Sequence, residues 1–275
     1  MDKLTLSTKN TWCPGCGNFP LFESIKKSIS SFGKKENFAL VSGIGCHAKI
    51  SDYINTNTFY GLHGRPIPVA GGIKAGNPKL KVICCSGDGD SYNEGISHLV
   101  HAAKRNSDIT VIVHDNRAFA LTVKQFTSTS PKGFQGSTTP KGSIEEPINP
   151  LELMLASGAT FIARGYVGKQ DHLTELIKKG IDHKGFSFIE VLQPCVAWFN
   201  TFQEYNEKVY EYKGKKSSDK KEVMSVIKEW DYNNEGKIPV GLFYQTEKES
   251  FEEKLFSNFA KKQKVDINKL LKKHL

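Results

Sequence analysis

The chain has 275 residues, 38% of them hydrophobic, with 24 glycines and six cysteines, and a formal net charge of +9. This length suffices for one large core and an extension, and no apolar run is long enough to span a bilayer. Lysines are interleaved with glutamates, as over residues 208–228, and no nucleic-acid motif occurs, so the basic charge does not point to nucleic acid.

The first ten residues are polar, without the apolar stretch of a secretory leader. A cytoplasmic location is therefore expected, and disulfides are not. Cys13-Pro14-Gly15-Cys16 has the spacing that turns two thiolates toward one metal centre. A zinc knot uses the same half-site, so spacing alone leaves both open. Residues 38–41 form an apolar run ending in the turn Ser42-Gly43-Ile44-Gly45-Cys46-His47. Residues 82–85 form a second, closed by Gly87-Asp88-Gly89-Asp90. Both are short and rich in branched residues, which predicts buried parallel strands. Glycines at 87 and 89 allow close backbone approach to a phosphate, and Asp88 supplies the hard oxygen that Mg²⁺ prefers.

Residues 92–104 carry Ile96, Leu99, Val100 and Ala103 at helical spacing, and 109–113 form a third strand before Asp115-Asn116. Such a crossover returns the chain parallel to itself, so Asp88 and Asn116 end side by side at the carboxyl edge of the sheet. Cys84 and Cys85 lie within a strand and read as small hydrophobes. Residues 168–182 predict an amphipathic helix and 186–192 a last core strand, with Cys195 just beyond its end. The alternation is that of a doubly wound α/β sheet. Polar residues 212–218 read as an exposed loop. Helices are expected over 222–230, 251–262 and 265–275, giving a domain at 1–212 and an extension at 213–275 packed on it or on a partner.

Further segments join these in order: Thr11-Trp12 ahead of Cys13 and Gly17-Asn18 after Cys16, Leu62-His63-Gly64-Arg65-Pro66-Ile67-Pro68, Leu121-Thr122, Glu145-Glu146-Pro147-Ile148-Asn149-Pro150, Gln193-Pro194-Cys195 and Ile238-Pro239-Val240-Gly241-Leu242-Phe243-Tyr244. Over residues 10–245 the chain resembles the β subunit of 2-oxoacid:ferredoxin oxidoreductases. The resemblance implies a thiamine diphosphate-binding fold, a mostly parallel sheet with helices on both faces and a helical C-terminal extension. It implies Mg²⁺ held by Asp88, the Asn116 side chain and the Ala118 carbonyl. Gly45, Cys46, His47, His63, Gly87, Gly89, Asp90, Leu121 and Thr122 would surround the coenzyme. Cys13, Cys16, Cys46 and Cys195 would hold one 4Fe-4S cluster. Lys49 would meet the substrate carboxylate, with Arg65 as a second anionic contact.

The implied activity is coenzyme A-dependent oxidative decarboxylation of a 2-oxoacid, pyruvate or 2-oxoglutarate, with electrons leaving through the cluster to ferredoxin. Ferredoxins tend to be acidic, so the basic charge has two open readings: a face that steers their approach, or mixed surface lysine that only keeps the chain in solution. The glutamate that faces the coenzyme's aminopyrimidine comes, in this family, from the α (or fused γα) subunit, and no glutamate in residues 1–150 stands in a matching context. Val123-Lys124 replaces the family's glycine-containing loop, which bears on acid preference. Two rivals explain less. A non-redox thiamine diphosphate lyase leaves the four cysteines without a role, and a zinc-stabilised binding module leaves the Asp88 turn without one.

Overall fold

The computed structural model describes residues 4–214 and 219–258. The helix expected at 265–275, the end of that expected at 251–262 and part of the 212–218 loop lie outside the described residues. One eight-stranded sheet runs through the molecule: β1 (Phe38–Ser42), β2 (Asn57–Tyr60), β3 (Lys81–Gly87), β4 (Thr110–Asp115), β5 (Phe161–Tyr166), β6 (Ser187–Leu192), β7 (Val209–Glu211) and β8 (Ile238–Gln245). Its order is β2-β1-β3-β4-β6-β5-β8-β7. All neighbours are parallel except β5 and β8. The stretch expected as an extension thus returns a strand to the sheet interior, and β6 is not the last core strand.

Helices α1 (Asn18–Ser31), α2 (Pro66–Gly76), α3 (Ile96–Arg105), α4 (Pro150–Ser157), α5 (Gln170–Asp182), α6 (Phe202–Lys208), α7 (Lys220–Ile227) and α8 (Phe251–Asn258) complete the chain. Strands β1, β4, β5 and β6 are buried throughout, as strands covered on both faces must be. The core accordingly divides in two. One part gathers Leu21, Ile25, Leu40, Cys85 and Ile189, and the other Val41, Cys84, Leu99, Val111 and Phe188. Cys84 and Cys85 point to opposite faces, fully buried, and burial pushes both thiols up. Neither reaches the sheet edge where the other cysteines gather.

The helix expected over 92–104 divides. Gly89–Glu94 form a wide π turn, and α3 starts only after Gly95. A side chain on Gly95 would meet the Asp90 carbonyl at 2.7 Å and the Gly64 carbonyl at 2.8 Å, so this glycine lets three backbone segments meet. Wide turns of this kind concentrate at functional sites.

Candidate active site

The carboxyl ends of β1, β3, β4 and β6 lie side by side, since Ser42 pairs with Cys85, Gly87 with His114 and Asp115 with Leu192. The turns that follow them deliver the predicted residues to one rim. Gly45, Cys46, His47, His63, Gly87, Asp88, Gly89, Asp90, Asn116, Ala118, Leu121 and Thr122 all line a single cavity of about 70 Å³. Cys13, Cys16, Cys46 and Cys195 line a second, of about 210 Å³, with Lys49. The two have Cys46, Asn116, Ala120 and Leu121 in common, so they adjoin. A larger groove of about 820 Å³, walled by Lys179, Glu249 and other side chains of both signs, lies at the opposite edge of the sheet and takes none of these residues.

Asp88 is buried; its Oδ2 accepts a hydrogen bond from Thr127 Oγ1 at 2.6 Å, and Thr129 Oγ1 stands 3.2 Å away. Burial raises its carboxyl to about 6, against the pull of these hydroxyls and of its own and the Gly89 amide. The single Thr129 proton has its nearer acceptor in Asp115 Oδ1, at 2.9 Å. Asp115 is raised well above the carboxylate range by burial and by the charges of Asp88 and Glu190. Asn116 Oδ1 accepts from the Ala118 amide at 3.1 Å, which brings that side chain and that backbone, both expected around a cation, into one turn.

Asp90 does different work. Its carboxylate accepts from the Gly64 amide at 2.7 Å, the Ile44 amide at 3.3 Å and Ser86 Oγ at 2.8 Å. His63 Nδ1 stands at 2.9 Å and His47 Nε2 at 3.5 Å. Burial alone would raise its pKa, but the hydrogen bond and charge of His47, the Gly64 amide and Ser86 outweigh that and hold it low. It ties the turn after β1 and the 61–64 loop to the end of β3. Gly43 is required here, because a Cβ would sit 1.6 Å from Asp90 Oδ2.

The turn glycines have a second duty that their sequence context did not show. A Cβ on Gly87 would approach His47 Nδ1 to 2.8 Å, and one on Gly89 would approach Phe119 Cε1 to 2.1 Å. The bare backbone therefore seats two rings against the cavity.

Around the second cavity Cys16 and Cys195 are buried, Cys46 is half-buried and Cys13 exposed. Burial raises Cys16, and neighbouring Cys195 and Cys13 add to it. Burial pushes Cys46 up to about 11, with help from Cys16, while Lys49 opposes. The amides of Asn18 and Gln193 each donate to Cys16 Sγ at 3.6 Å, and Trp12 Nε1 donates to the Cys46 carbonyl at 2.6 Å. The thiols ring the cavity without converging: among the described residues no three His, Cys, Asp or Glu side chains close on one point as a single ion demands.

Lys49 donates to the Thr11 carbonyl at 3.4 Å and stands on the thiol side of the rim. Arg65 departs from expectation. It stands just before α2 as its N-cap residue, turns to His98 on α3, and lines neither cavity, so its placement does not support an anionic contact at the site. Thr127 and Thr129 were not anticipated; a run of hydroxyl residues over 127–130 was the signal present. The loop with the unusual Val123-Lys124 holds both residues at positive φ, 67° and 62°, where glycine is the comfortable occupant.

Comparison with known proteins agrees with this architecture. Residues 43–191 match the family model of the thiamine pyrophosphate enzyme C-terminal TPP binding domain, and residues 195–258 match that of the C-terminal part of the pyruvate ferredoxin oxidoreductase beta subunit. The 2-oxoacid:ferredoxin oxidoreductase subunit beta of Saccharolobus solfataricus is 40% identical over 253 residues, 86% of this chain and 82% of that one. The 2-oxoglutarate synthase subunit KorB of Methanothermobacter marburgensis is 34% identical over 271 residues, 94% and 91% of the two chains. The solved structure of 2-oxoglutarate:ferredoxin oxidoreductase from Magnetococcus marinus superposes with a TM-score of 0.91 at 30% identity, covering 98% of this chain and 94% of that one. The chain belongs to the beta subunits of the 2-oxoacid:ferredoxin oxidoreductases, components of heteromeric enzymes built on a thiamine pyrophosphate-binding domain.

Proposed function

We propose that this subunit serves the coenzyme A-dependent oxidative decarboxylation of a 2-oxoacid, with 2-oxoglutarate as the acid and ferredoxin as the electron acceptor. The observation that carries the reading is the common wall of the two cavities: Cys46 and Asn116 border both, so a coenzyme and a redox centre would be neighbours. The names of the relatives support the acid and the acceptor, since two of them are 2-oxoglutarate enzymes and two are ferredoxin oxidoreductases.

Asp88, Asn116 and the Ala118 carbonyl suit a magnesium diphosphate, because all three offer hard oxygens at adjoining strand ends. Bound there, thiamine diphosphate supplies the electron sink that the decarboxylation needs. The cavity of about 70 Å³ falls well short of the roughly 300 Å³ at which ligand pockets begin. This supports a site completed by a partner α subunit, which would also bring the missing glutamate. Lys49 is placed to neutralise the substrate carboxylate, and Leu121 stands at the junction of the cavities with Thr122 beside it on the coenzyme side. His47 and His63, both engaged by Asp90, shape the wall.

Cys13, Cys16, Cys46 and Cys195 suit a 4Fe-4S cluster. Four thiolates on one zinc ion stand about 3.8 Å apart, and a cluster of four irons spreads them wider, which accords with thiols that ring a cavity. Salt-sensitive electron transfer to an acidic ferredoxin would follow from the net charge of +9. The assembled enzyme, purified without oxygen, is expected to carry about four irons per β chain together with thiamine diphosphate and Mg²⁺. One zinc per chain and no iron would refute the cluster.

A further inference from the structure

Thr127 and Thr129 touch neither cavity wall, yet both hydroxyls converge on one oxygen of Asp88. Thr127 Oγ1 reaches Oδ2 at 2.6 Å and Thr129 Oγ1 at 3.2 Å. Both threonines are at most 1% exposed. Their loop is locked by its own bonds: the Thr127 amide donates to Ser130 Oγ at 2.8 Å, and Ser130 Oγ donates to the Arg117 carbonyl at 2.6 Å. These bonds hold the Thr127 backbone in place beside Asp88. Thr129 has a single hydroxyl proton and Asp115 Oδ1 is its nearer acceptor at 2.9 Å, so Thr127 is the donor that holds Asp88 Oδ2, with Thr129 Oγ1 behind it at 3.4 Å.

We propose that Thr127, backed by Thr129, is a positioning residue that makes Asp88 a one-oxygen ligand and so selects Mg²⁺ over Ca²⁺. The inference rests on the reading of Asp88 as a cation ligand. Mg²⁺ demands compact octahedral coordination and takes single carboxylate oxygens, whereas larger Ca²⁺ accepts both oxygens of one carboxylate. With Oδ2 held by the Thr127 hydroxyl, Asp88 has one free oxygen to give, and two-oxygen binding would require breaking a buried hydrogen bond of 2.6 Å. Removing the hydroxyls weakens the orientation that Mg²⁺ needs and at the same time opens the second oxygen to Ca²⁺.

The test is isothermal titration of the assembled enzyme, stripped of metal and coenzyme, with thiamine diphosphate in the presence of Mg²⁺ or of Ca²⁺. Wild type is compared with Thr127→Val, Thr127→Ser, Thr129→Val and Asp88→Asn, and unfolding temperature is followed in parallel. Valine keeps the shape of threonine. The expected result for Thr127→Val is a loss of at least about tenfold with Mg²⁺, the usual scale for a group that orients a metal ligand. With Ca²⁺ the loss should be smaller, so the preference narrows. Thr127→Ser should retain it, and Thr129→Val should repeat the narrowing with a smaller step. Equal losses with both cations, or no loss while Asp88→Asn is impaired, would overturn the inference. An Asp88→Asn enzyme that titrates like wild type would instead overturn the underlying assignment of Asp88.

Discussion

The oxygen corner at Asp88 and the thiol cavity at Cys16 adjoin on one sheet edge, but they are held in different ways. Asp88 and Asp90 receive hydroxyl and amide protons from their own chain at 2.6–3.3 Å. The thiols draw on weaker contacts, two amides at 3.6 Å from Cys16. Their surroundings are set by packing, with Trp12 wedged against Phe19, Phe22 and Tyr53 at ring distances of 4.9–5.9 Å. Hydrogen bonds preorganise the first region, so losing a ligand there should cost binding more than folding. In the second, metal binding is itself folding energy, so losing a ligand should cost both.

The largest effect should come from Cys16→Ser. Iron per chain is expected to fall from about four to background, with a lower unfolding temperature, measured by metal analysis and calorimetry. Retained iron would erase the contrast between the regions. Next, Asp88→Asn should weaken Mg²⁺-dependent coenzyme binding by about 100-fold or more, while iron content and unfolding temperature hold. The same carboxyl sharpens the comparison through pH. Its pKa is raised from 3.8 to about 6, so the stability it lends the coenzyme-free protein is present below pH 3.8 and lost as pH rises through about 6. Magnesium needs the charged form, so coenzyme affinity should fall about tenfold per unit below that point.

Asp90→Asn removes the charge and turns one of the two oxygens that face buried donors into a donor itself, and should cost about 3–5 kcal/mol of stability, read by denaturant titration. A cost confined to coenzyme affinity would make Asp90 a ligand rather than a tie between loops. The smallest effect belongs to Lys124→Gly, which relieves a positive φ of 62° and should add about 1 kcal/mol. It should also alter the relative rates with pyruvate and 2-oxoglutarate. Unaltered rates would separate this loop from acid preference.

What could be read from the sequence follows from how each element is covered. Strands β3 and β4 are buried on both faces, so they show as unbroken apolar runs, and the turns behind them could be placed. Strand β5 escaped notice because Arg164 interrupts its run; the structure buries it against Glu190 at 2.8 Å, a pairing from another strand. Strand β8 is masked by Pro239 and Gly241, and β2 is an exposed edge strand with no hydrophobic signature. Around the cavities the Asp88 turn, Asn116 and the Cys13–Cys16 pair were legible because they carry local chemistry, whereas Ala118, His63, Leu121, Thr122 and the full cysteine set followed from the family resemblance. Asn18 and Gln193 stand in the family-like segments, but their contacts with Cys16, like those of Thr127 and Thr129 with Asp88, depend on distances that no spacing encodes, and Arg65 looked available until His98 was seen beside it.

The most direct test of two cavities working as one is to mix the assembled enzyme, anaerobically, with 2-oxoglutarate and follow the cluster by electron paramagnetic resonance. The expected outcome is a reduced-cluster signal in wild type and none in Asp88→Asn, although dithionite reduces both. A wild-type cluster that dithionite reduces but the acid does not, with coenzyme and Mg²⁺ bound, would contradict the account.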